Sequence, residues 1–193
     1  MLEANNIKLD ASEAPHLAKW GEDVKALIIR WYPRIRNLIP TKGVNSPRKI
    51  TLKICKSDKF IGGTSGTTII VSSRWIEKYP DDIGLVFHEL VHVVQSYPSG
   101  GKPGWVTEGI ADYLRWGIYE GKGRTWFPRP KEKQGYKKGY RVAAGFLLWL
   151  ESEIAPGIVK KLNTAMRNDK YSDKLFEMET YRSLDELWNM YVA

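Results

Sequence analysis

Two histidines four residues apart with a glutamate between them, His88, Glu89 and His92 in "HELVH", are the residues of this chain best equipped for chemistry. On a helix, positions four apart share one face, so the two imidazoles project toward a common point while Glu89 stands on the adjoining side. That pattern suits one zinc ion (Zn2+), which would lower the pKa of its water toward neutrality. Glu89, not itself a ligand, would accept the water's proton and pass it to a leaving amine. A catalytic zinc takes three protein ligands, however, and the only other histidine of the chain, His16, lies far upstream.

The third ligand selects the class of site. The pattern HExxHxxGxxH requires Gly at 95 and His at 98, where this chain has Gln95 and Pro98. The other arrangement, that of thermolysin and the membrane-alanyl-type aminopeptidases, takes a glutamate from a second helix. Glu108 lies sixteen residues past His92, beyond the Gly/Pro-containing run "SYPSGGKPG", in "WVTEGIADY", which resembles the NEGFA.Y segment of those aminopeptidases. Asp112, four residues further on, competes with it. We assign Glu108 to the metal and Asp112 to accepting the free N–H of a ligating imidazole, which fixes its tautomer. The plainer readings are core histidines bonded to backbone carbonyls, a Glu108 that compensates a helix dipole, and an Asp112 on an exposed face. An oxyanion donor is also needed; Tyr140 is the first choice, with Tyr136 and Arg141 as the other candidates.

The elements that must hold these residues read as follows. Residues 12–39 have helical spacing through Leu17, Trp20, Val24, Leu27, Ile28 and Trp31, ending near Pro33 or continuing kinked to Leu38. "KITLKICKS" (49–57) and "TTIIVSS" (67–73) read as strands, with "GGTSG" (62–66) as the break that makes them a hairpin. Strand 67–73 is a candidate sheet edge for pairing with an extended peptide. After a helical turn near Trp75, Asp81 is the expected N-cap of a helix over about 82–96 that is apolar nearly all round and therefore buried. Its two histidines and glutamate then need partners, because buried polar groups are costly without them.

A helix from Thr107 to about Glu120 follows the loop at 96–104. Residues 121–137 read as loop, and "GKGRTWFPRPKEKQGYKKGYR" as a possible basic, aromatic lid. Three further helices are expected at 139–154, 156–169 and 183–192. Strands first and helices afterward make an α+β chain.

Composition narrows the field. A chain of 193 residues with 42% hydrophobic and 27% charged residues suits one globular domain. The net charge of +8 favours acidic partners such as an anionic surface or cell-wall polymer. No zinc-finger spacing or helix-turn-helix supports specific nucleic-acid binding. No run of about 18 apolar residues exists to form a membrane span. The single cysteine, Cys55, excludes an internal disulfide framework and reads as core. The N-terminus lacks a signal-peptide pattern.

Five segments in order, "DASEAPHLAKWGEDVKALIIRWYPRI", "TIIVSSRWIEKYPDDIGLVFHELVHVVQ", "PGWVTEGIADYLRW", "GYRVAAGFLLWLE" and "SLDELWNMY", resemble the basic secretory protein family of plants and bacteria, a zincin-type peptidase family. The resemblance spans about Ile7 to Tyr191. It implies a zincin-like fold in a single domain over 1–193, with a small N-terminal sheet, an active-site helix and a mainly helical C-terminal part. It also implies one zinc ion, secretion from a precursor whose leader is removed, and proteolysis of peptide or protein substrates, with His88, Glu89, His92 and Glu108 in the metal-protease roles. This chain departs at Tyr181, where the family pattern has a Gly after the Thr. The rival reading is a non-catalytic basic defence or cell-wall-binding protein with a structural or vestigial metal site; a glutamate retained at 89 argues against it, since a structural site needs ligands but no base.

Overall fold

A computed structural model describes residues 3–40, 47, 49–98 and 103–193. The fold is α+β, a small four-stranded sheet with mostly helical content. The chain divides into two compact units, the first ending at Ser96 and the second beginning at Tyr97.

The first unit holds the sheet and three helices. Its strands are β1 (Ile7–Asp10), β2 (Ile50–Cys55), β3 (Gly62–Ser65) and β4 (Thr68–Ser72), in the order β1-β2-β4-β3. β1 and β4 both run parallel to β2, and β3 runs antiparallel to β4. Leu52 pairs with Ile69 and Ile54 with Val71, all four fully buried, so branched apolar side chains form the sheet's core face.

Two expectations are corrected here. The strands at 49–57 and 67–73 are parallel neighbours rather than a hairpin, and the segment read as a break is itself β3. Strand 67–73 is therefore interior, and β1 and β3 form the edges. Propensity missed β3 because "GGTS" has almost no side chain to register; backbone pairing makes the strand. Its turn to β4 is tight, with Gly66 at φ 58, a conformation glycine adopts without penalty.

Helix α1 (Ala18–Leu38) contains Pro33 without ending there, and its start is preceded by β1 and a 3-10 turn over Pro15–Leu17, so the expected helix begins late. α1 packs on α3 (Gly84–Gln95), where Trp31 meets Phe87 edge-on with centroids 5.3 Å apart. Between them in sequence lies the short α2 (Ser73–Lys78), capped by the Ser72 hydroxyl, which accepts from the Trp75 N–H at 3.4 Å. Asp81 does not cap α3. The N-cap residue is Ile83, and Asp82 instead accepts the Trp75 indole N–H at 2.9 Å. Every residue of α3 except His92 is buried, as its all-round apolar pattern requires.

The second unit is helical: α4 (Gly104–Asp112), α5 (Tyr140–Trp149), α6 (Ile158–Arg167), α7 (Lys174–Thr180) and α8 (Leu184–Val192). Residues 99–102 of the loop expected before α4 lie outside the described residues. α4 begins three residues earlier than expected and widens after Asp112 into π-type turns over Tyr113–Tyr119. It lies close on α5, for a Cβ at Gly109 would stand 2.8 Å from the Ala143 Cβ. α7 was not foreseen. It ends at Tyr181, which takes φ 57 and ψ 24, the left-handed cap that explains a glycine preference there. The segment 121–137 is packed rather than a free loop, since Phe127 and Tyr136 are buried in it and Trp126 lies on Trp116.

Candidate metal and catalytic site

Building from α3, four polar side chains gather on a helix that is otherwise apolar. The His88 and His92 Nε2 atoms stand 3.0 Å apart with the rings edge to face. His92 Nδ1 lies 2.6 Å from Gln95 Oε1, and Gln95 is 2% exposed. An amide oxygen only accepts, so His92 Nδ1 carries the proton and donates it, leaving the Nε2 lone pair toward His88. Sequence reasoning missed Gln95; its position three residues after His92, on the same helix face, was the available signal.

Glu89 is 5% exposed. Among the described residues its carboxylate has one hydrogen-bond donor, the Thr64 hydroxyl of β3, at 2.8 Å from Oε2. Gly62, on the same face of that strand, lies so close to α3 that a Cβ there would meet Leu85 Cδ1 at 2.9 Å and Glu89 Oε1 at 3.4 Å. Thr64 and Gly62 were not singled out from the sequence, because nothing local to "GGTS" reveals which helix it faces.

His16, the third histidine, has its Nε2 2.9 Å from Glu77 Oε1 on α2, and is thereby accounted for away from HELVH. Glu108 sits in the second turn of α4, past the first turn where dipole compensation acts, which removes that plainer reading. Asp112, at the end of the same helix, is buried rather than on an exposed face.

α3 offers the imidazoles of His88 and His92, and α4 offers the carboxylate of Glu108. Two imidazole nitrogens and a carboxylate oxygen are the donor set of a zinc site that keeps a position open, so the residues fit that ion.

The oxyanion candidates separate clearly. Tyr136 is buried and donates its hydroxyl to Asp185 Oδ1 at 2.7 Å. Burial and that hydrogen bond push its phenol well above the ordinary tyrosine range, and it is not available to a substrate. Arg141 is exposed over the Trp126 ring, 5.6 Å from its centroid. Tyr140 is 57% exposed and takes φ 45, following Gly139 at φ 67 and ψ −158, a combination essentially restricted to glycine. A Cβ at Gly139 would lie 3.7 Å from the Glu108 Cβ, so this strained corner abuts the turn of α4 that carries Glu108.

A family described as peptidase of plants and bacteria, BSP, matches residues 13–191. The chain belongs to that family. BSP membership makes the chain a peptidase by kind and peptides its substrate class. No curated protein and no solved structure matches it. The BSP match runs from before α1 to Tyr191 in α8, so both halves of the HELVH…TEGIAD pattern fall inside it.

Proposed function

We propose that this BSP peptidase is a zinc-dependent enzyme of zincin-like fold, working as a single domain, in which His88, His92 and Glu108 hold one zinc ion. The meeting of the His88 and His92 Nε2 atoms on α3, 3.0 Å apart beside the buried Glu89 carboxylate, carries the reading. A zinc ion bound there supplies Lewis acidity, which acidifies water and polarises a carbonyl oxygen. Glu89 takes the proton of the attacking water and returns it to the leaving amine. Tyr140 donates to the oxygen of the scissile carbonyl as negative charge develops on it. Gln95 holds the His92 ring, and Asp112 accepts the free N–H of a ligating imidazole.

The same reading has the protein act outside the cytoplasm, on peptides or proteins, with its net positive charge drawing it to anionic surfaces. Among the described residues no helix is long and apolar enough to cross a membrane.

The test is cleavage of casein and of a peptide library by zinc-loaded protein, with and without chelator, alongside Glu89→Gln and Tyr140→Phe. Chelation should abolish cleavage and added zinc restore it. Glu89→Gln should keep its zinc and lose about 10²–10⁴-fold in turnover, and Tyr140→Phe about 10²–10³-fold. Cleavage by Glu89→Gln at the wild-type rate, or by the chelated protein, refutes the proposal.

A further inference from the structure

We infer that Thr64, on the edge strand β3, is the positioning residue for Glu89, an inference that rests on the reading of Glu89 as the base. The Thr64 hydroxyl stands 2.8 Å from Glu89 Oε2 and 2.9 Å from the Glu89 backbone oxygen. A hydroxyl has one proton to give, and a carboxylate is the stronger acceptor, so the proton goes to Oε2. Among the described residues no other donor reaches that carboxylate, which has little water around it at 5% exposure. Thr64 therefore fixes the rotation of the carboxylate and occupies one oxygen, leaving Oε1 to receive a proton.

Gly62 completes the arrangement from the same face of the strand. With no side chain it lets β3 close on α3 and leaves open the space beside Oε1, which a Cβ would crowd at 3.4 Å. Register makes the pair work. Gly62 and Thr64 are two apart and point to one face, and their pairing with Val71 and Ile69 of β4 pins them along α3. The edge strand thus does more than end the sheet, because it sets the geometry of a group on the neighbouring helix.

The test compares Thr64→Val, which keeps the shape and loses the hydroxyl, with Thr64→Ser, which keeps the hydroxyl. On the zinc-loaded full chain, Thr64→Val should lower kcat by about 10- to 100-fold with KM within about twofold and zinc content unchanged. Thr64→Ser should restore kcat. A purely structural threonine would not split kcat from KM in this way.

A second measurement needs no activity. In urea unfolding, Thr64→Val should lower the midpoint more in the wild-type background than beside Glu89→Ala, where the hydroxyl keeps only the backbone oxygen of residue 89 as partner. Should the valine variant not fold, Thr64→Ala replaces it against the same serine control. Wild-type kcat in Thr64→Val while Glu89→Gln is inactive overturns the inference and leaves the peptidase proposal standing. If instead no peptide is cut even by wild type, the base assignment fails, and equal midpoint losses in the two backgrounds then overturn the Thr64–Glu89 link itself.

Discussion

Replacing Gln95 by leucine tests how a residue that never touches the metal sets its affinity. The Gln95 Oε1 stands 2.6 Å from His92 Nδ1 and, at 2% exposure, leaves no room for water to take its place. The bond holds the His92 proton on Nδ1 and points a bare Nε2 at the position that His88 Nε2 approaches to within 3.0 Å. Leucine has similar bulk and no acceptor, so the imidazole is free to move its proton to Nε2, the nitrogen a ligand must leave bare. Loss of such a supporting partner costs about 10- to 100-fold in metal affinity, or about 1.4–2.7 kcal/mol. Apo protein titrated with zinc in competition with a chromophoric chelator at neutral pH measures this directly. Gln95→Glu, which keeps an acceptor oxygen, should bind at least as tightly as wild type. Wild-type zinc affinity in Gln95→Leu, or a loss in Gln95→Glu equal to that in leucine, refutes the reasoning.

Two further outcomes follow from positions away from the site. Tyr181 is 96% exposed and held at φ 57. Relieving that conformation gains about 1–2 kcal/mol, against about 0.5–1 kcal/mol for the freer unfolded glycine. Tyr181→Gly should therefore raise Tm by up to about 6 °C in a thermal melt, and a lower Tm contradicts the cap. Asp185 accepts from Gln134 Nε2 at 2.9 Å and Tyr136 Oη at 2.7 Å, which holds its carboxyl below the ordinary aspartate range. A depressed folded pKa means the stabilisation is full above the unfolded value of about 3.9 and disappears as pH falls through the folded one. The Tm gap between wild type and Asp185→Asn should be constant above about pH 5 and narrow as pH falls below about 4; a gap that widens on acidification rules the contribution out.

How much was legible differs between the helices and the sheet. The apolar face of α3 and its HELVH spacing were visible because a helix brings positions four apart together by local geometry alone. A candidate for the third ligand was legible too, since Gln95 and Pro98 eliminated one pattern and "TEGIAD" offered another. The sheet was not. β3 was read as a break, β2 and β4 as a hairpin, and β1 was missed, because strand partners are chosen by long-range backbone pairing that leaves little trace in four residues such as "GGTS" or "IKLD". Among the tyrosines, only burial separated Tyr136, spent on Asp185, from the exposed Tyr140 four residues on.

The sequence by itself determined the residue types of HELVH, the helix that carries them and the face they share, since these depend on residue chemistry and a fixed helical repeat. Only the tertiary structure decided what steadies them. It turned Gln95 from a mismatch at a glycine position into the partner of His92, and brought Thr64 from a glycine-rich edge strand onto the Glu89 carboxylate. The reason is physical. A hydrogen bond between residues 25 apart, as Thr64 and Glu89 are, exists only once the strand has found its neighbour, and no local pattern encodes that meeting.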